Sequence, residues 1–177
     1  RISLQILTIY LIMDFIGNAL RMSMEAEGSF ELQRLLESSS NATIKKIADE
    51  FRGHVCEMVE SPHGNHVLQR LIELMPPQSV SFILEEIAVK WKPGYIARHK
   101  FGCRVLERII EHFPACQGTG IELARYLDGL LQNGLSHFFH SFATFVIQHI
   151  LEHGTVEQQL LVLTHLKQDL WKVATDV

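Results

Sequence analysis

Apolar pairs recur along this chain at fixed offsets: Val67-Leu68 with Leu71-Ile72, Val105-Leu106 with Ile109-Ile110, and Val146-Ile147 with Ile150-Leu151. Positions i, i+1, i+4 and i+5 share one side of an α-helix, so each set predicts a helix with a single buried face. Each set lies inside a ten-residue block that occurs four times in register, at 28–37, 64–73, 102–111 and 143–152. The blocks start 36, 38 and 41 residues apart, a spacing at which each repeat is one small supersecondary unit stacked on its neighbours. The pattern therefore predicts an all-α solenoid rather than a pocketed globule.

Between blocks, a second apolar periodicity predicts a first helix for each unit. In unit one it covers about Leu4 to Phe15, followed by a connection through Met22 and the block helix from Glu27 to Glu37. Ser38 to Asn41 reads as loop, with Asn41 or Thr43 as the cap of the next helix. Unit two runs from Ile44, with Ile47, Ala48 and Phe51 at helical spacing, to Leu74 before Pro76-Pro77. Unit three starts near Gln78, bends at Pro93-Gly94 and ends at Phe113-Pro114. Unit four places Ile121, Leu123, Ala124, Leu127, Leu130 and Leu131 in the core, and Gly154 at a helix C-cap. Val156 to Leu166 repeats the first-helix pattern, and Trp171 to Asp176 resembles the approach to a fifth block. Phe15-Ile16-Gly17 stands 36 residues before Phe51-Arg52-Gly53, so the repeat extends beyond the blocks.

The chain has 177 residues, 47% hydrophobic and 20% charged, enough to bury a core. Ile2 to Ile16 is apolar but holds Gln5, Thr8, Tyr10 and Asp14 and lacks a basic leader, so it is expected to be a buried repeat helix and not a membrane span. The start at Arg1 and the stop inside a fifth unit suggest a fragment of a longer protein. Three cysteines without a Cys-x-x-Cys pair suggest neither a disulfide framework nor a zinc ribbon, and point to a reducing, cytoplasmic setting. With a net charge of −4, any nucleic-acid partner must be held by a local basic face.

The apolar face does not account for the rest of each block. Asn65 and Gln69 are four apart and project from another face, with His66 beside them. The corresponding sets are Ser29, Phe30 and Gln33; Cys103, Arg104 and Glu107; and Thr144, Phe145 and Gln148. Each middle member is flat and can stack on a nucleobase, while each outer pair can hydrogen-bond a base edge.

Gly64-Asn65-His66-Val67-Leu68-Gln69 and Gly102-Cys103-Arg104-Val105-Leu106-Glu107 resemble the RNA-reading helices of Pumilio (PUF) repeats, which read one base per helical repeat. The resemblance implies one repeat domain over 1–177, with units at about 1–38, 41–75, 78–113, 120–153 and a partial 155–177. It implies a crescent-shaped, right-handed superhelical α-solenoid of armadillo-like repeats that binds single-stranded RNA. The expected targets are 3′ untranslated regions of messenger RNA, for translational repression or decay, with regulatory proteins on the convex face. By the same resemblance Asn65 with Gln69 is similar to the uracil pair, Ser29 with Gln33 to the adenine pair and Cys103 with Glu107 to the guanine pair, while Thr144 with Gln148 is nearer adenine. The implied site is 5′-A-G-U-A-3′ across units four to one. Phe30, His66, Arg104 and Phe145 are the stacking candidates. Arg34, Arg70, Arg108 and His149 are candidate phosphate contacts, with ion pairs to nearby glutamates as the competing role. Departures from the family pattern are Glu31 at an apolar position and Ala143 in place of glycine.

The rival readings are an α-solenoid that binds protein, and a relative that binds RNA without base preference in ribosome assembly. His149 with His153 and His137 with His140 have helical spacing, but no acidic or thiol residue completes a metal set. No phosphate-cradling loop or nucleophile elbow is present, so neither an enzyme nor a cofactor is expected.

Overall fold

The computed structural model describes residues 15–113, 118–132 and 140–175, and all regular structure among them is helical. The chain forms two compact units, one up to Glu86 and one from Ile87. The first contains α1 (Ala19–Ser23), α2 (Ala26–Ser38), α3 (Asn41–Asp49), α4 (Val55–Glu60), α5 (Gly64–Leu74) and most of α6 (Pro77–Lys90). The second contains the end of α6, then α7 (Pro93–Arg98), α8 (Gly102–His112), α9 (Thr119–Leu131), α10 (Ala143–His153) and α11 (Val156–Thr175). The helix expected over Leu4 to Phe15, and His137, fall largely or wholly outside the described residues.

The four blocks are helices α2, α5, α8 and α10, as their periodicity predicts. Val67, Leu68, Leu71 and Ile72 of α5 are fully buried, and so are Val105, Leu106 and Ile109 of α8. Each such side chain contributes about 1.5–3 kcal/mol of transfer free energy. Helix α2 has a thinner face, because Glu31 is exposed and only Leu32 and Leu36 are fully buried. Within the first unit α2 packs on α5, and within the second α8 packs on α10.

The connections are themselves short helices, α1, α4 and α7. Gly17 (φ 91°) and Gly53 (φ 82°) turn the chain into α1 and α4 in the left-handed region, where side chains are strained. The next repeat then caps each short helix. Glu50 accepts from the N–H groups of Gly17 (2.6 Å) and Ala19 (3.0 Å), and Glu86 from those of Gly53 (2.7 Å) and Val55 (3.2 Å). A carboxylate there satisfies orphan donors and faces the positive end of the helix. Helix α7 starts differently: Pro93 occupies its first turn and has no N–H to cap. Tyr126 instead donates its hydroxyl to the Trp91 carbonyl at 3.0 Å.

Close approach explains the glycine that opens three blocks. A Cβ on Gly64 would lie 2.9 Å from Met58 Cα, so α5 rests directly on the α4 backbone. Added Cβ atoms at Gly28 and Gly102 would meet Met22 O at 2.5 Å and Ile96 Cδ1 at 2.4 Å.

Three sequence expectations are corrected. Ser40 caps α3, accepting from the Thr43 N–H at 3.3 Å, because it is the residue with extended backbone before the first turn. Ile121 is half-exposed on the outer side of α9, whereas Leu123, Leu127, Leu130 and Leu131 are buried. Gly154 is the C-cap of α10, as expected, with a φ of −69°. Glycine fits there because a Cβ would meet Ile150 O at 2.5 Å. Finally, α11 continues to Thr175, so Trp171 to Thr175 extends the first helix instead of leading into a fifth block. Buried Gln158 ties α11 to α9 through 2.9 Å bonds to Ala124 O and Asp128 Oδ1. Among the described residues, no helix is long and apolar enough to cross a membrane.

Candidate nucleic-acid interface

The second residue of each block sits in the first helical turn and donates back to a carbonyl one turn earlier. Ser29 Oγ reaches Ala26 O (3.0 Å), Asn65 Nδ2 reaches Ser61 O (2.7 Å), Cys103 Sγ reaches Lys100 O (3.5 Å) and Thr144 Oγ1 reaches His140 O (2.9 Å). The donor is thereby held inside the helix. Burial is nearly complete for Ser29, Asn65 and Cys103, with Asn65 at 1% exposure. Burial, followed by the charge of Glu107, pushes the Cys103 thiol up to about 11. It stays protonated at neutral pH and is no nucleophile.

The sixth residue of each block completes the pair in different ways. Gln69 Nε2 donates to Asn65 Oδ1 at 2.9 Å, which locks the two amides together and sets their orientation. Gln33 Nε2 donates to the Ser29 carbonyl at 3.1 Å, and Gln148 is exposed. Glu107 is only 6% exposed. Its Oε2 accepts from Arg104 Nη1 at 2.9 Å, while its Oε1 is buried without a hydrogen-bond partner. An unpaired carboxylate oxygen at such a depth is costly, so it is poised to accept from an incoming donor.

All four stacking candidates reach the surface. Phe30 is 60% exposed and Phe145 38%, which sets aside a core role for either. His66 and Arg104 are also exposed. Phe30 has the Arg34 guanidinium 6.0 Å from its ring centre. Arg104 lies 4.4 Å over the Phe145 ring of the neighbouring repeat, so these two stacking groups rest on each other. A base between them requires a separation of about 7–8 Å, two van der Waals layers.

The seventh-position cations are engaged with carboxylates. Arg70 bridges to Glu73 at 2.7 Å and to Glu37 of the preceding repeat at 3.3 Å. Arg108 pairs with Glu111, whose other oxygen meets His149 Nε2 at 2.7 Å. Burial pushes the Glu111 carboxyl up, but hydrogen bonds from Arg108 and His149 outweigh it and hold it below the usual glutamate value. Arg34 is the most exposed of the set, 3.7 Å from Glu31. Sequence reasoning missed the partners in the neighbouring repeat. The glutamate that closes every block was the available signal, but it was matched only to its own helix. Among the described residues no group of three or more His, Cys, Asp or Glu side chains could hold a metal ion.

The fold and this surface define a class: a helical-repeat protein whose block helices each carry a side chain bonded to a carbonyl one turn back, a surface stacking group and a second polar residue in register. A model of the Pumilio-family RNA-binding repeat matches residues 32–51, 54–88, 95–115 and 140–166, more than half of the chain. The chain belongs to the Pumilio family. It is 25% identical over 160 residues to the suppressor protein MPT5 of Saccharomyces cerevisiae, covering 85% of this chain and 18% of that protein. The crystal structure of PUF-8 in complex with PBE-RNA matches with a TM-score of 0.83 at 24% identity, over 95% of this chain and 48% of that one. The Puf4 RNA-binding domain bound to the HO endonuclease RNA 3′ UTR recognition sequence matches with a TM-score of 0.75 at 18% identity, over 90% of this chain and 47% of that one. The chain spans 18% to 28% of the length of the first three curated relatives it matches.

Proposed function

We propose that this chain binds single-stranded RNA in a sequence-specific way, one base per repeat, through Ser29 with Gln33, Asn65 with Gln69, Cys103 with Glu107 and Thr144 with Gln148. The carrying observation is the contrast at the sixth position: Gln69 is tied to Asn65, while Glu107 holds a buried, unpartnered Oε1. An amide pair offers one donor and one acceptor, which matches a uracil edge. A carboxylate offers acceptors only, which matches the two donors on the Watson–Crick edge of guanine. Phe30, His66, Arg104 and Phe145 supply stacking worth about 1–3 kcal/mol per base. The RNA read is 5′-A-G-U-A-3′ across repeats four to one. By likeness to the Puf4 domain bound to a 3′ UTR sequence, the targets are messenger RNA 3′ untranslated regions. The outcome is translational repression or decay in the cytoplasm, aided by regulatory proteins, without catalysis.

Fluorescence anisotropy with a short RNA containing A-G-U-A, against one with G and U replaced by C, tests this reading. At least several-fold tighter binding to A-G-U-A is expected, about 1 kcal/mol or more. Equal binding would point to a relative without base preference, and no binding to a protein-binding scaffold.

A further inference from the structure

Net charge gives this chain no general attraction to phosphate, and the seventh-position cations lie against carboxylates. One segment departs from that balance. Residues 88–101 contain Lys90, Lys92, Arg98 and Lys100 but no aspartate or glutamate. The same segment carries a run of rings. Trp91 stacks on Tyr95 with centroids 5.5 Å apart, Tyr95 on His99 at 6.1 Å, and His99 meets Phe101 edge-on at 6.0 Å. Lys90 Nζ stands 4.7 Å from the Trp91 ring centre and Lys100 Nζ 5.0 Å from that of Phe101.

The run connects two features of the second unit. At one end His99 Nδ1 accepts the N–H of Gly102, the first residue of α8, at 3.0 Å. At the other end a cavity of about 430 Å³ opens between the end of α6, the start of α7 and α9, walled in part by Lys90, Trp91, Lys92, Arg125 and Tyr126. It is an open depression in the surface rather than an enclosed pocket. The Tyr126 hydroxyl bond to Trp91 O fixes one wall. The matching segment of the first unit, 50–63, has Glu50, Glu57 and Glu60, and its one Phe, Tyr or Trp is the buried Phe51, so the exposed ring run does not come with the repeat itself.

We propose that this cavity and ring run form a second contact surface for single-stranded RNA, which holds a nucleotide outside the four bases read by the block helices. The proposal rests on the RNA-binding reading above and extends it. A phosphate fits against Lys92 and Arg125, both exposed, and a base stacks on half-exposed Tyr95. Cations alternating with rings are the chemistry that tracks a single strand without reading its sequence. The surface therefore adds affinity for flanking nucleotides of any sequence.

The test compares the tetranucleotide A-G-U-A with the same core flanked by three uridines on each side, using the full chain and the double variant Lys92→Glu/Arg125→Glu. Circular dichroism verifies folding, as both side chains are on the surface. The variant is expected to lose about tenfold in affinity for the flanked RNA and none for the tetranucleotide. Its salt dependence should fall by about 0.7 in log–log slope, one phosphate contact on a single strand. Hexauridylate should quench tryptophan emission in the unaltered chain and not in Trp91→Phe. That readout needs no A-G-U-A, so failure of base reading and failure of this surface are distinguishable. Unchanged affinity for the flanked RNA, equal loss on both RNAs, no Trp91-dependent quenching, or competition by polyglutamate as strong as by hexauridylate would overturn the proposal.

Discussion

Helices α5 and α8 have the same inner face and different outer ones. Both open on a glycine pressed against the preceding short helix, and both bury the same four apolar positions. On the outer side Asn65 and Gln69 satisfy each other, whereas Glu107 gives one oxygen to Arg104 and keeps the other without a hydrogen-bond partner. The repeat separates its tasks: four apolar side chains per helix hold the stack together, and two polar positions differ between repeats. Polar variety is tolerated at the second position because each residue there can donate to a carbonyl one turn back, whatever its type.

The largest effect should fall on the shared face. Leu68→Ala and Leu106→Ala should each cost about 2–5 kcal/mol, and the two losses should be alike, as measured by urea unfolding. A large inequality would break the equivalence of the two helices. Filling the glycine contact is expected to cost less: Gly64→Ala places a methyl against the Met58 backbone and should destabilise by about 1–3 kcal/mol, read as a lower midpoint of thermal unfolding. The outer face should behave in the opposite manner. Asn65→Ala removes a buried donor that Ser61 O relies on and the acceptor of Gln69, and should cost about 1 kcal/mol of stability. Glu107→Gln should leave stability nearly unchanged, since it replaces a charge that has one unpartnered oxygen.

The smallest effect concerns the ion pairs between repeats. Glu111 titrates below its usual value when folded, so at mildly acidic pH the folded chain binds fewer protons there than the unfolded one. Its contribution is complete above the ordinary glutamate range and lost as pH falls through the lowered folded value. Thermal unfolding from pH 7 to pH 3 should show a decline of no more than about 1 kcal/mol that Glu111→Gln removes. An unchanged decline in the variant would assign the acid sensitivity elsewhere.

The sequence makes this division legible only in part. Periodicity located the four block helices and their buried face, because burial acts on every fourth residue and leaves a local signature. The carboxylate caps from Glu50 and Glu86 were invisible, as they join residues 31–33 apart through backbone N–H groups that carry no residue code. The same blindness hid the partners of Arg70 and His149 in neighbouring repeats. It also hid the closed Arg104–Phe145 contact, since a list of stackable residues does not show that two of them already stack on each other. Of the pairs expected to read bases, Ser29, Asn65, Cys103 and Glu107 are buried, a depth that was not deducible from spacing alone.

The central claim is that the sixth position chooses the base while the apolar face holds the fold. Affinities of the unaltered chain and of Glu107→Gln for A-G-U-A and A-A-U-A, with stability recorded alongside, test it most directly. The account predicts that the unaltered chain prefers G and that the variant loses or reverses this preference, at equal stability. The same ratio of G to A affinity in both proteins would contradict it.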